Sequence, residues 1–496
     1  LLKKTLLMKN NSIYKILILA SLPFLLVSCF AAKDYERPQV VNEANYRTEN
    51  LPQDTLSIAT LSWKDLFTDP LLQGYIEEGL KNNMDIRVAL QQIRIAEAYV
   101  KQGKAGYFPS LSGNAKYTHQ ELPAQNQFGN ISSISQYELS ASLSWEADIW
   151  GKIRSNERAF QASYLQTVAA HQAVKSRLIA NIASVYYQLL ALDEQIRVTE
   201  ETIETRSKGL ETTQALKEAG NVTEVGVKQT EAQLYTAQGI LIDLKNQARL
   251  LENTMSILLG SAQGILIDLK NQARLLENTM SILLGSAPHE ITRGSLENQD
   301  IEIPLKTGIP SQLLRNRPDV MAAEYSLMNA FELTNAARAS FYPSLTLSAT
   351  GGFQNIEIDK LFNANSLFAT IIGGLTQPIF NKRQIRTQYE VSQAQQEQAY
   401  LDFRLAVITA SKEVSDALYN YQSATEKIEV NQKEFEAYNL ATNYSEELLD
   451  NGFANYLEVL NARENALNSS LNLINTKNNQ LQAIVDLYEA LGGGWR

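Results

Sequence analysis

The side chains that most often carry chemistry are few in this sequence and lie far apart. Its three histidines are His119, His171 and His289, and none has a second ligand at the spacing of a zinc site. Pairs of carboxylates are common in the helical stretches, where they are typical of a solvated helix surface. The sequence contains no phosphate-binding glycine loop and no nucleophile elbow. We therefore expect no enzymatic activity, no metal site and no cofactor.

The single cysteine has a specific predicted chemistry. Cys29 ends the run Leu26-Val27-Ser28-Cys29, which resembles a bacterial lipobox, in which the cysteine is lipidated and becomes the first residue of the mature chain. Acyl chains on one residue add membrane affinity because they bury methylene groups. Phe30, in place of an aspartate, favours the outer membrane over retention in the inner membrane.

A short apolar segment precedes this cysteine. The run from Ile16 to Val27 follows Met8, the expected start, and two lysines. Because it is too short to span a membrane as a helix, it is typical of a secretion signal. We predict a signal peptide over 1–28 and a lipidated, polar tether over 29–61. An uncleaved anchor, or an ordinary signal with a chance cysteine, is the alternative.

Composition excludes some classes of partner. The chain has 496 residues, 44% of them hydrophobic and 20% charged, with a net charge of −10. No basic patch favours nucleic acid. One cysteine allows no intrachain disulfide.

Two parts of the chain repeat one pattern. Asp85 and Pro109 are separated by the same distance as Asp319 and Pro343, and each proline lies in an aromatic-Pro-Ser-Leu motif. A self-match at a fixed long period indicates a duplicated structural unit. In each copy a helical pattern stops at the proline and an alternating pattern follows, so the two prolines are the predicted helix-to-strand junctions.

Four stretches alternate with the period of a β-strand. The clearest runs from Tyr137 to Ile149, where apolar residues alternate with acidic residues and serines. Shorter alternations follow Pro109 and Pro343, a weaker one runs from Leu367 to Phe380, and we expect a loop from Leu122 to Ser135. The longest stretch suits a tilted transmembrane strand. The edge of a soluble sandwich would show the same pattern.

Long helices are predicted between these strands. Apolar residues recur at spacings of four and three from Leu178 to Ile203, and again from Val414 to Phe435, which is the pattern of a coiled-coil seam. A helix from Lys152 to Ala219 would be roughly 100 Å long at 1.5 Å per residue. Such a length suits a conduit that crosses a periplasm better than it suits a globular core.

Each long helix is predicted to turn back at a glycine. Gly220 with Asn221, and Gly452 with Phe453, are matching helix-end and turn signals. Both precede a fresh helical pattern, from Glu224 to Leu234 in the first case and from Tyr456 to Leu467 in the second. We therefore predict two long helical hairpins that belong to the same duplication.

A second, exact repeat lies inside the first hairpin. Residues 238–262 and 263–287 are identical, which indicates a recent duplication or an assembly error. The unit is close to seven helical turns, so an insertion would nearly keep the helix phase. With these signals we divide the chain into a first repeat over 62–300 and a second over 301–496.

Taken together, these features resemble the TolC/OprM family of outer-membrane efflux channels. The resemblance is carried by the signal with its lipobox, the doubled proline motif, the run Trp145-Glu146-Ala147-Asp148-Ile149-Trp150-Gly151-Lys152, and Gly452 followed by Tyr456-Leu457-Glu458-Val459-Leu460-Asn461-Ala462. It implies a mainly α protein with a β-barrel part. A homotrimer would form a twelve-stranded transmembrane barrel, four strands per protomer, continuous with a periplasmic coiled-coil barrel. Four tilted strands cannot close a barrel alone, and lipid does not tolerate open edges.

The resemblance also implies functional residues at the helix tips. It places a periplasmic gate near the second turn, where the family often carries two acids; here Glu458 keeps the first and Asn461 replaces the second with a neutral amide. Three symmetry copies of Glu458 would make an acidic ring, whereas a merely solvated helix position is the alternative. The resemblance implies docking of an adaptor at the tips formed by Gly220, Asn221, Gly452 and Phe453.

The implied function is export across the outer membrane. The chain would be the passive duct of a tripartite multidrug pump, anchored by lipid in the outer membrane, with its helices in the periplasm. Its partners would be a periplasmic adaptor and an inner-membrane RND-type or ABC transporter. One alternative is the same duct for metal cations or secreted polypeptides, although only six methionines argue against copper or silver. Another is a lipid-anchored coiled-coil spacer without a pore.

Overall fold

A computed structural model of the chain describes residues 32–40, 57–121, 133–259, 294–299, 312–454 and 456–496. The predicted lipidation site Cys29, His289 and the second copy of the exact repeat, 263–287, lie outside the described residues. The chain divides into two compact units. Unit 1 comprises Leu1–Gln39, Gln92–Thr167 and Ala322–Phe403; unit 2 comprises Val40–Gln91, Val168–Met321 and Arg404–Arg496.

Helices dominate the described residues. In chain order they are α1 (Trp63–Leu66), α2 (Pro70–Asn82), α3 (Met84–Ala105), α4 (Lys152–Glu218), α5 (Glu224–Leu259), α6 (Leu313–Asn316), α7 (Pro318–Ala339), α8 (Gln384–Asp450) and α9 (Tyr456–Ala490). The strands are β1 (Ser110–Glu121), β2 (Ser133–Ala147), β3 (Ser344–Asn355) and β4 (Leu367–Thr376). The described residues contain no helix that is both long enough and apolar enough to cross a membrane.

The doubled sequence motif folds as a helix followed by a strand in both copies. Helices α3 and α7 have 22 residues each, with Asp85 and Asp319 in their first turns. Pro109 and Pro343 follow these helices and directly precede β1 and β3. Each proline thus lies between the end of a helix and the start of a strand, where it cannot continue the helix because it has no N–H.

The four strands form one antiparallel sheet in unit 1. Their order is β1-β2-β3-β4, so strands that follow one another in the chain are neighbours. Ser140 pairs with Asn114 of β1 and with Gly352 of β3, which sets the register across the centre of the sheet. The predicted count of four strands is confirmed.

Three strand ends differ from the sequence prediction. The predicted loop from Leu122 to Ser135 is too long, because β2 already begins at Ser133, opposite Glu121. The clearest predicted strand does not reach Ile149. It ends at Ala147 because both carboxylate oxygens of Asp148 accept main-chain N–H groups at the start of α4, at 2.8 and 3.0 Å. Strand β4 ends at Thr376 rather than Phe380, just before Gln377-Pro378.

The two longest helices match the predicted hairpins. Helix α4 ends at Glu218, one residue before the predicted end, and α8 has the same length of 67 residues. The return helices α5 and α9 start where predicted and run on to Leu259 and Ala490. The first copy of the exact repeat, up to Leu259, thus forms the end of α5.

The core of unit 2 contains a cluster of aromatic side chains. Tyr186 and Tyr187 of α4 are fully buried with Phe67 and with Tyr488 of α9, and the rings of Phe67 and Tyr488 meet edge to face at 6.0 Å. The Tyr186 hydroxyl donates to Asp69 Oδ2 at 2.6 Å. Burial, together with that carboxylate, raises the pKa of Tyr186 well above its ordinary value. This cluster joins the start of the first repeat to the end of the chain.

A buried arginine stabilises the start of the second repeat. Arg317, just before α7, donates through Nε to Asp319 Oδ1 at 2.9 Å and through Nη1 to the main-chain oxygen of Ala490 at 3.0 Å. It also forms an ion pair with Glu413 of α8. Although burial raises the pKa of Asp319, the bonds and charge of Arg317 outweigh burial and hold that pKa below its usual value.

Candidate functional site: the sheet faces and the helix tips

The sheet has one apolar face and one face rich in hydroxyl groups. Because side chains alternate along a strand, residues paired across strands share a face. On the apolar face, Leu143 lies between Leu111 and Ala349, and Ala349 in turn pairs with Ile371. This face is the arrangement that a transmembrane sheet presents to lipid.

The opposite face carries a row of hydroxyl and amide groups. Asn114 Nδ2 donates to Ser142 Oγ at 3.2 Å, and Ser142 lies 3.1 Å from the hydroxyl of Thr350, which pairs with Thr370. A polar row on this face is typical of a water-filled lumen. Strand β4 departs from the pattern, since Ile372 lies on the polar face opposite Ser348.

The two outer strands expose apolar side chains and one unpaired edge each. Among the described strands, β1 pairs only with β2 and β4 only with β3. Leu111 of β1 is 74% exposed and Ile371 of β4 is 76% exposed. Open strand edges with apolar side chains favour pairing with another chain.

Two tryptophans hold the helix-to-strand junctions, a role that the sequence reasoning missed. Trp145 donates its indole N–H to the main-chain oxygen of Tyr107 at 2.9 Å, two residues before Pro109. Trp150 donates to the main-chain oxygen of Pro343 at 2.7 Å. The end of β2 and the residues just after it therefore contact the junctions of both repeats. The sequence signal for this was the pair of tryptophans within one short motif.

Both hairpin tips have the same helix-end geometry. Gly220 has a φ of +80° and Gly452 a φ of +77°. At the first tip, Asn221 N donates to Leu216 O at 2.9 Å, and at the second, Phe453 N donates to Leu448 O at 2.8 Å. These bonds, with those from the glycine N–H groups, form a Schellman motif, which requires a left-handed residue.

The surfaces of the two tips differ. Phe453 is 81% exposed, so the second tip presents an aromatic ring to solvent. Asn221 is also exposed, and an ion pair between Lys217 and Glu224 joins the two helices of the first tip. Both tips belong to unit 2. Their roles in docking stay predictions.

The predicted gate residues lie on one exposed side of α9. Glu458 is in the first helical turn and Asn461 is three residues further, which places both on the same side of the helix. Both are exposed, whereas Val459 and Leu460 between them are buried. The register thus leaves Glu458 and Asn461 available to line a surface, and their role as a gate stays a prediction.

The described N-terminal segment, 32–40, binds to α7 within unit 1. Arg37 forms a two-pronged ion pair with Glu324, with Nε–Oε1 at 2.5 Å and Nη2–Oε2 at 2.7 Å. Asn335 accepts from Lys33 N at 3.2 Å and donates to Lys33 O at 2.8 Å. Ala32 lies beside Gly151, just before α4. The tether residues 32–40 are therefore fixed to a helix. The tether residues 57–61 depart from the prediction of an irregular polar segment, because they contain a 3-10 helix, Ile58–Thr60, whose Ile58 and Ala59 are buried.

The remaining candidates for chemistry do not come together. His119 lies 3.0 Å from the Ser135 hydroxyl in the sheet, whereas His171 is in α4 within unit 2. Burial, with a smaller effect of Lys175, lowers the pKa of His171. Across the described residues, no group of three or more His, Cys, Asp or Glu side chains is placed to hold a metal ion.

Comparison with known proteins gives one family. The model of the family described as "Outer membrane efflux protein" matches residues 75–261 and 309–493. Each of these blocks contains one copy of the proline motif and one helical tip.

Individual relatives match over nearly their whole length. The chain is 28% identical over 477 residues to the solvent efflux pump outer membrane protein SrpC of Pseudomonas putida, covering 95% of this chain and 96% of SrpC. It is 27% identical over 473 residues to the cation efflux system protein CusC of Escherichia coli O6:H1, covering 95% of this chain and 97% of CusC. The solved structure of a membrane protein from Pseudomonas aeruginosa has a TM-score of 0.81 at 25% identity, covering 93% of this chain and 100% of that one.

These findings confirm the resemblance that the sequence motifs indicated. The family model covers most of the chain, both relatives match 95% of it, and the solved structure shares the fold. This chain therefore belongs to the outer membrane efflux protein family.

Proposed function

We propose that three copies of the chain form a passive duct through the outer membrane for drugs, solvents or other toxic solutes. The observation that supports this most is the four-stranded sheet with one apolar face, one hydroxyl-rich face and an unpaired edge on β1 and on β4. Lipid leaves no water to bind an open edge, so the edges need strand partners. Pairing β1 of one copy with β4 of the next gives twelve strands in a trimer, which suffices for a closed barrel.

The duct draws its energy from other proteins. The described residues contain no cluster for metal chemistry, and the sequence contains no phosphate-binding loop. A periplasmic adaptor and an inner-membrane transporter of the RND or ABC type would deliver the exported solutes and supply the free energy for export. The tips at Gly220 and Gly452 are the proposed docking points, and the exposed ring of Phe453 offers the adaptor an apolar anchor.

The proposed gate is a ring formed by the start of α9. Three copies of Glu458 give an acidic constriction that favours cations, and the neutral Asn461 lowers the charge relative to a ring with two acids per copy. The exposed positions of Glu458 and Asn461 beside the buried Val459 support this assignment.

Cys29 is the proposed lipid anchor. Its support in the structure is the position of the next described residues, which bind along α7 in the unit that contains the sheet. An anchor so close to the sheet suits a lipoprotein whose barrel lies in the same membrane. Cys29→Ser should abolish acyl labelling, and persistent labelling would show that another residue carries the lipid.

The experiment that tests export is gene deletion with profiling of sensitivity. Cells that lack the chain should become more sensitive to dyes, detergents, antibiotics or organic solvents, and wild-type protein should restore resistance. The purified protein should also conduct ions in a planar bilayer. Unchanged sensitivity to every compound, or a stable monomer that is soluble without detergent, would overturn the proposal.

A further inference from the structure

The two repeats differ in how they cover the aromatic residue that precedes the proline of their junction. In the second repeat this residue is Tyr342, and the ring of Trp150 stacks on it with centroids 4.7 Å apart. In the first repeat it is Phe108, which is 73% exposed. Because the repeats are copies of one structural unit, we expect the two positions to have equivalent surroundings. Within the described residues, the first junction lacks the cover that the second one has.

The counterpart of Trp150 in the second repeat is Phe380. Ile149-Trp150 lies between β2 and α4, and Ile379-Phe380 lies in the same place between β4 and α8. Helices α4 and α8 both have 67 residues and end at the two tip glycines, so their first residues correspond. The segment from Phe380 to α8 is two residues longer than the segment from Trp150 to α4.

This segment of the second repeat holds apolar side chains away from the rest of its own chain. Ile379 is 99% exposed and Phe380 is 87% exposed. Lys382 and Arg383, which follow them, have φ angles of +53° and +64°, a left-handed conformation that is costly for residues with a side chain. Both apolar side chains lie just after β4, at the edge where the proposed duct places the next copy of the chain.

The duplication also predicts how β4 of one copy pairs with β1 of the next. Within a copy, Trp145 of β2 lies opposite Leu347 of β3. Leu375 is the counterpart of Trp145, since each lies five residues before the aromatic residue that follows its strand. Gly113 is the counterpart of Leu347, since each lies four residues after its junction proline. The same pairing between copies places Leu375 of β4 opposite Gly113 of β1.

The lengths and faces of the strands agree with this register. It places all of β4, Leu367–Thr376, opposite the segment Ser112–Glu121 of β1, so that every residue of β4 gains a partner. Leu375 and Gly113 both lie on the apolar face of the sheet. The register therefore continues the apolar face from one copy to the next and leaves no part of β4 unpaired.

The register also gives the strands a tilt that suits a closed barrel. Within one copy, the residue of β4 that is level with Gly113 is Ala369, six residues before Leu375. Four strands at about 4.8 Å and six residues at about 3.3 Å correspond to a tilt of about 45°. Strands of closed barrels are tilted by about 35–45°. The inferred pairing is therefore compatible with a closed barrel of three copies.

We propose that Phe380 of one copy packs on Phe108 of the next copy, in the way that Trp150 packs on Tyr342 within a copy. The contact covers the exposed junction of the first repeat and fixes the register in which β4 pairs with β1 of the neighbour. It rests on the proposed function, because it requires copies that pair edge to edge around one barrel. Stacked aromatic pairs stabilise an interface beyond the area that they bury.

Cysteine pairs in the full-length protein test the register in outer-membrane vesicles. The variant with Leu375→Cys and Gly113→Cys should oxidise to cross-linked dimers and trimers, because directly opposite residues lie within disulfide distance. Leu375→Cys with Ala115→Cys, or with Leu111→Cys, places the second cysteine two residues away on the same face. These two pairs should give at least about fivefold less cross-linked product, because diagonal neighbours lie about 7–8 Å apart.

The cross-linking pattern separates this proposal from the proposed function. Cross-links that form mainly at Ala115→Cys or Leu111→Cys would overturn the register while leaving the trimeric barrel intact. The absence of cross-links in all three pairs would show that β4 does not pair with β1 of another copy. That result would overturn the edge pairing on which the proposed duct depends.

Substitutions of the two phenylalanines test the aromatic contact itself. Phe380→Ala should shorten the half-life of the purified trimer at a fixed elevated temperature by about fivefold, and Phe108→Ala by a similar factor. Native electrophoresis measures the remaining trimer. Because both substitutions remove the same contact, the double variant should dissociate little faster than either single variant. Ile358→Ala, at an exposed residue near the other end of the sheet, should leave the half-life unchanged.

The same variants distinguish a neighbouring copy from lipid as the partner of Phe380. Phe380→Trp introduces the residue type of the first repeat and should keep the half-life at or above the wild-type value. If the effects of Phe380→Ala and Phe108→Ala multiply in the double variant, the two rings act independently, as they would in lipid. That outcome, or an unchanged half-life for Phe380→Ala, would overturn the contact.

Discussion

Trp150 donates its indole N–H to the main-chain oxygen of Pro343 at 2.7 Å while its ring stacks on Tyr342 with centroids 4.7 Å apart. The bond connects the end of β2 in the first repeat to the start of β3 in the second. The indole N–H gives the Pro343 carbonyl oxygen a hydrogen-bond donor. This carbonyl lies between the end of α7 and the first residue of β3. The junction of the second repeat is therefore stabilised by a residue of the first.

Replacing Trp150 by phenylalanine should destabilise this junction. Trp150→Phe keeps a ring against Tyr342 but leaves the Pro343 oxygen without its donor, and loss of one such bond costs about 1 kcal/mol. Thermal unfolding of the purified protein, followed by circular dichroism, should show a lower midpoint. Trp495→Phe, which removes a similar bond to Asn316 O within unit 2, is the comparison for a general loss of an indole donor. An unchanged midpoint for Trp150→Phe would show that the indole N–H does not stabilise the junction.

The tip glycines should not tolerate a side chain. Gly220→Ala and Gly452→Ala place a Cβ on a left-handed residue, which costs about 1 kcal/mol or more each. Gly239→Ala is the matched control, because Gly239 lies inside α5 with open space around it, and alanine there should stabilise the helix by about 0.5–1 kcal/mol. Urea unfolding measures all three. A Gly239 variant as unstable as the tip variants would show that the left-handed geometry is not the cause.

A glycine in β3 is required by the close approach of β2. A Cβ at Gly352 would lie 2.2 Å from Leu139 O and 2.5 Å from Ser140 Cα, so Gly352→Ala must push the strands apart. At the next residue, a Cβ at Gly351 would meet only Phe368 O at 3.5 Å, an ordinary contact. We expect Gly352→Ala to reduce the yield of folded protein in outer-membrane fractions, and Gly351→Ala to leave it unchanged. Equal yields would contradict the close approach.

The gate assignment predicts opposite effects of two substitutions on ion selectivity. Glu458→Gln should reduce the preference for cations, because it removes a carboxylate from each copy. Asn461→Asp should increase it, because it adds one on the same side of α9. Reversal potentials across a salt gradient in planar bilayers measure both. If neither variant changes the reversal potential, these residues do not line the gate.

The ion pair at Arg317 predicts a dependence of stability on acid pH. The pKa of Asp319 is lowered in the folded state, so its stabilisation is present above the unfolded pKa, about 3.9, and is lost as the pH falls through the folded pKa. Asp319→Asn should therefore lower the melting temperature near pH 7, and the difference from the wild type should shrink below about pH 4.

An exposed aspartate provides the control for this pH series. Asp416 pairs with Lys412 on the surface of α8, where an ion pair contributes little. Asp416→Asn should therefore change the melting temperature only slightly at every pH. A difference between Asp319→Asn and wild type that stays constant down to pH 3 would contradict the role of the Asp319 carboxylate.

The strands and helix tips could be predicted from sequence because their signals are local. The alternation around Tyr137 fixes which side chains share a face, and Gly220 and Gly452 end their helices in a way that depends on backbone geometry alone. The exact strand ends were harder to predict. β2 stops at Ala147 because the side chain of Asp148 binds the start of α4, and it begins at Ser133 because β1 extends far enough to pair with it.

Contacts between distant parts of the chain gave no comparable signal. The partner of Trp150 lies in the other repeat, far away in the sequence. The binding of residues 32–40 to α7 was likewise missed, because an irregular polar segment has no period from which to predict a partner. These features depend on tertiary packing, which a pattern along one chain does not contain.

The attachment of the N-terminal segment to α7 limits how far the proposed acyl chains on Cys29 can lie from the sheet. Three residues span about 10 Å at most when fully extended. Lipid on Cys29 would therefore stay within that distance of Ala32, which lies beside Gly151, just after the end of β2. Such an anchor would fix the depth of the protein in the membrane, because it would tie one leaflet of the bilayer to a fixed height on the protein. Loss of the ion pair between Arg37 and Glu324 would lengthen the free segment between Cys29 and the helix. The protein could then take up a wider range of depths in the membrane.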